Sequence, residues 1–140
     1  MLDDISDRCN TIEECYEFML AYAAQGLLSD QGSQSGGQIR EWLGRAAEAV
    51  GGLARSCETA LAQERLEPAE RYQNFFQVVR RDAGDSLAAI ELVLAQPSIS
   101  SQLIDNLNAS IHLRALLTDL FLLTEIAKAL RAPAQPAASC

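Results

Sequence analysis

One apolar repeat constrains this chain more than any other feature. From Ile39 the apolar residues fall at Ile39, Leu43, Ala46, Val50, Leu53, Cys57 and Ala60. Those are alternating steps of four and three, the spacing that places side chains along one stripe of an α-helix. Similar stripes run from Tyr72 to Val93 and from Leu113 to Leu130. A chain patterned in this way must bury helix against helix. No alternating strand pattern competes with it, and no internal repeat is visible.

The helix boundaries follow from capping and breaking residues. Thr11 followed by Glu14 reads as a capping box, which predicts a first helix starting there after a loose acidic lead-in over residues 1–10. Ile12, Cys15, Tyr16, Met19, Tyr22 and Ala23 form its apolar face, and Gly26 is a natural residue to end it. Residues 29–37, rich in Gly and Ser, read as a connection. A second helix is expected from about Gln38 to about Leu66. Gly51-Gly52 lies in its middle, but the stripe stays in phase across the pair, which favours one helix over two. The glycines also suit a close approach of a neighbouring helix. Pro68 suits the first turn of a third helix running to about Ala95, where Pro97 stops it. Ser98 or Ser100 caps a fourth, running to about Leu130 or Arg131. From Ala115 to Leu123 that helix is apolar almost all round, so it is expected to be the most buried element of the bundle.

The reading is therefore all-α: an up-and-down four-helix bundle of one short and three long helices. It occupies residues 1–131 as a single domain, followed by a Pro/Ala-rich tail, 132–140, expected to be disordered. A first helix half the length of its partners leaves apolar stripe uncovered, which points to a homodimer.

Charge narrows the function. The net charge is −8, and such a chain repels polyanions, so nucleic acid and anionic membranes are not expected partners. Much of the acidity sits near the N-terminus: Asp3, Asp4, Asp7, Glu13, Glu14 and Glu17 against Arg8 alone. The N-terminus has neither the basic nor the apolar region of a signal peptide, and no run is long enough to span a membrane. Cytosol is the expected compartment. In that setting Cys15 and Cys57, on apolar stripes, read as buried thiols, and Cys140 as an exposed one. Ten arginines beside the single Lys128, with abundant alanine, match the codon bias of a GC-rich bacterial genome. Length and helicity are similar to those of bacterial assembly and secretion chaperones, a likeness of fold that no motif supports.

The chemical motifs are sparse. A ferritin-like di-iron site needs Glu-x-x-His on two helices, yet the chain has one histidine, His112, and Ala109 stands where the glutamate belongs. A mixed carboxylate site among Glu13, Glu17, Glu48, Glu91 and Glu125 stays open on paper. His112 has no nucleophile motif beside it. Residues 32–37 precede a helix but lack the Lys-Ser/Thr of a P-loop. No catalytic residue and no cofactor is expected. The leading expectation is a non-enzymatic bundle that binds another protein, as adaptor, assembly chaperone or regulator. Its contact surface is placed on Glu13, Glu14, Glu17 and Phe18, an exposed aromatic on an acidic helix. The alternative is a bundle that holds a metal or small ligand in its core, with an enzyme of ferritin-like architecture as one form of it.

Overall fold

The computed structural model describes residues 2–131. The tail over 132–140, with Cys140, lies outside them. Six helices follow one another: α1 (Leu2–Ala24), α2 (Gln34–Gly51), α3 (Leu53–Gln63), α4 (Ala69–Leu94), α5 (Ser101–Ala109) and α6 (His112–Arg131). No strand occurs among the described residues.

The first correction concerns α1. It begins at Leu2, well before Thr11, and at 23 residues is nearly as long as α4. Leu2, Ile5, Cys9, Ile12, Cys15, Met19 and Tyr22 form one buried stripe at helical spacing. The aspartates between them made this segment look like a lead-in. They lie off that stripe, and Asp3 and Asp4 suit the positive end of the helix dipole. Thr11 is not a cap: its hydroxyl donates to the Asp7 carbonyl 3.2 Å away, one turn back. The short first helix that argued for a homodimer is therefore absent.

The second correction concerns the two breaks. The chain parts at Gly52, so residues 34–63 form two helices rather than one. The expected fourth helix parts at Ser110-Ile111, where Ile111 adopts φ 56°. That left-handed conformation is costly for a β-branched residue, and no glycine or proline announces it. α2 also starts earlier than expected, at Gln34. The Ser33 hydroxyl accepts from the Gly36 amide at 2.9 Å and caps it. Ser100 caps α5 in the same way through Leu103.

α1 packs against α2, α3, α5 and α6, and α4 packs against α2, α3, α6 and, less extensively, α5. The two ends are tied by hydrogen bonds. At one, the Tyr22 hydroxyl donates to the Ile99 carbonyl at 2.6 Å, and Ser101 bonds Leu27 and the Tyr22 carbonyl. At the other, the Leu2 amide donates to Glu64 at 2.9 Å.

One device appears twice. Arg8 on α1 lies 3.2 Å from Asp4 and donates to the Glu48 and Ala49 carbonyls at 3.2 Å. Those are among the last carbonyls of α2, which have no partner within their own helix. Ser56 joins the group, accepting from Arg8 and donating to Asp4. Arg40 on α2 pairs with Asp30 at 2.8 Å and donates to the Leu94 and Gln96 carbonyls at the end of α4. Each arginine thus places positive charge at the negative end of a neighbouring helix.

The glycines of α2 and α4 separate into two kinds. A Cβ on Gly36 would overlap the Asp30 backbone carbonyl, whereas Gly44 and Gly84 have nothing within 4 Å. Gly44→Ala and Gly84→Ala are each expected to raise stability by about 0.5–1 kcal/mol, through helix propensity and a less flexible unfolded chain. Gly36→Ala is expected to lower it. Urea unfolding of the three variants checks the order.

Candidate functional site

The outer face of α1 is the first candidate. Helical spacing turns Glu14 and Glu17 to solvent, and both are exposed, while Glu13 is half-buried. None of the three has an ion-pair partner among the described residues. Glu13 lines a cleft of about 440 Å³ between α1 and α6, together with Phe121 and Lys128.

Phe18 does not share this face. It is half-buried and stacks on Trp42 of α2, with ring centroids 5.3 Å apart and planes at 17°. Arg45 covers Trp42 at 4.7 Å from its centroid. This sandwich joins α1 to α2 through aromatic stacking and a cation–π contact. The exposed aromatic beside the acidic face is instead Phe121, 43% exposed on α6. The sequence pattern concealed it, because Ala115–Leu123 reads as buried all round. In the fold Leu116, Leu117, Leu120 and Leu123 are buried, but Phe121 and Leu122 face outward.

The second candidate is an acidic pair between α4 and α6. Asp119 projects toward α4, and its Oδ2 is shut from solvent without a hydrogen-bond donor. Burial, and then the neighbouring Asp82, push its carboxyl up to about 7. A proton held on Asp119 supplies the missing donor and removes its repulsion with Asp82.

Three cysteines are inert by position. Burial pushes Cys9 and Cys15 up to about 11 and Cys57 up to about 12, so none is a thiolate at neutral pH. His112 is exposed at the start of α6. Among the described residues, no group of three or more His, Cys, Asp or Glu side chains converges in a way that could hold a metal ion. No helix among them is long and apolar enough to cross a membrane.

The Asp119 geometry has a measurable consequence. The unfolded chain releases this proton near the ordinary value of 3.8, the folded chain near 7. Between those values the folded state binds more protons, so this group's effect on stability worsens as pH rises, then levels off above 7. Asp4 and Asp30 act oppositely: hydrogen bonds from Ser56 and from the Ile99 amide respectively hold them low. Their stabilisation is present above 3.8 and is lost in acid. Asp119→Asn isolates the first effect. It is expected to be more stable than the parent at about pH 8, with the difference shrinking toward about pH 4, as read by urea unfolding across that range. No gain at the alkaline end removes this account of Asp119.

No family model, curated protein or solved structure matches this chain.

Proposed function

We propose that this protein is a non-enzymatic scaffold of the cytosol that works by binding another protein through the outer face of α1. The observation that carries the reading is the set of carboxylates Glu13, Glu14 and Glu17, without ion-pair partners among the described residues, of which Glu13 shares a cleft with the exposed ring of Phe121. Surface charge without internal partners steers encounters, and an exposed aromatic supplies the anchor. The partner that suits this face is a basic segment with an apolar side chain. Phe18 contributes by holding α1 against α2 rather than by touching the partner. In this reading the six helices work as one up-and-down four-helix bundle, in which α2–α3 and α5–α6 are two interrupted rods.

A second reading is a bundle that holds a metal or small ligand. What favours it is the meeting of Asp82 and Asp119 between α4 and α6. Native mass spectrometry of gently purified protein separates the two. A bound small mass supports the ligand reading, and a second polypeptide supports the scaffold.

Glu13→Lys with Glu17→Lys is expected to weaken partner capture at least about tenfold at low salt, with helicity by circular dichroism unchanged. Phe121→Ala is expected to weaken capture as well. Capture that survives all three substitutions removes α1 and Phe121 as the binding surface.

A further inference from the structure

A second stripe runs along the flank of α4 that borders α6. Arg71, Phe75, Val78 and Asp82 recur at steps of four, three and four, the spacing that aligns side chains along one side of a helix. The stripe is bordered by Leu122 and Ile126 of α6. Together with Arg71 and Phe75 these line an apolar cleft of about 240 Å³. Val78 is 38% exposed and Leu122 52%, so large apolar side chains are left in water here.

The order of residues indicates what covers them. The stripe is basic at one end, apolar in its middle and acidic at the other. Reversed about a point midway between Phe75 and Val78, it matches itself. Arg71 then faces Asp82 of a second copy, and Phe75 faces Val78 of that copy. Within its own chain Arg71 has no ion-pair partner among the described residues, and no basic side chain among them pairs with Asp82 or Asp119. The charges unmatched in one copy are those the other copy supplies. Because the same patch serves both chains, the interface closes with two-fold symmetry and stops at two.

We propose that α4 and α6 form the face of a homodimer, with α4 antiparallel to α4 of the second copy. The interface is separate from the outer face of α1, so either surface stands if the other fails. It also does not depend on the helix lengths of the bundle, since the stripe carries its own complement.

The test is sedimentation velocity on the full chain, using Arg71→Glu and Asp82→Lys singly and mixed. The parent is expected to associate reversibly. Each variant alone places like charges at both ends of the stripe and is expected to weaken association about tenfold or more. An equimolar mixture of the two restores opposite charges at both ends, and is expected to return association to near the parental level. Val78→Glu, at a site already open to water, is expected to dissociate the dimer without disturbing helicity. It keeps the proposal testable if Asp82→Lys does not fold. A parent chain monomeric at about 0.5 mM, where even a weak interface of this kind associates, overturns the proposal. A dimer that Arg71→Glu and Val78→Glu leave intact overturns it too. So does a monomeric parent that binds a different protein through this face, with that binding abolished by Val78→Glu.

Discussion

The apolar stripe of α1 is the surface on which the rest of the protein is assembled. Ile12, Cys15, Met19 and Tyr22 have no accessible surface, and α2, α3, α5 and α6 all rest on this one helix. At roughly 1.5–3 kcal/mol for each large side chain taken out of water, this stripe is a leading source of stability. It also sets the geometry. α4 lies across the protein from α1 and reaches it through the helices between them.

Helices laid on a common rod still have to end, and each end leaves carbonyls without partners. Here the neighbouring helix supplies the donor. Arg8 reaches from α1 to the end of α2, and Arg40 reaches from α2 to the end of α4. Both arginines are held by an aspartate, Asp4 and Asp30. The pairing orients the guanidinium, and the guanidinium satisfies carbonyls that the neighbouring helix leaves without partners. A Cβ on Gly52 would meet the end of the Arg8 side chain, which would have to swing away from the α2 carbonyls it caps. The break between α2 and α3 is thus a packed joint between three helices.

The apolar repeats predicted all-helical structure, and the structure is all-helical among the described residues. The stripes of α2–α3 and α4 fall where the repeat placed them, because their period belongs to the helix itself. The boundaries were less legible. Thr11 and Glu14 had the spacing of a cap, yet they lie mid-helix, since the stripe upstream at Leu2, Ile5 and Cys9 continues to bury surface and outweighs a local signal. Phase continuity across Gly51-Gly52 favoured one helix because a break that preserves phase leaves no mark in the pattern. Ile111 gave no sign at all. Of the candidate site, Glu13, Glu14 and Glu17 could be placed on one helix from spacing alone. That Phe18 stacks on Trp42 and Phe121 stands open could not, because both depend on which helix lies alongside.

By itself the sequence determined the secondary-structure class, the burial of Cys15 and Cys57, and the acidic character of α1. These follow from periodicity and composition, which are local properties of the chain. Only the tertiary structure decided where Arg8 and Arg40 reach, which aromatic stays in water, and that Asp82 and Asp119 meet. Those pairings join residues far apart in sequence, and their energy exists only once the helices are side by side. A charge is costly or useful according to what faces it, and the facing partner is set by packing rather than by spacing along the chain.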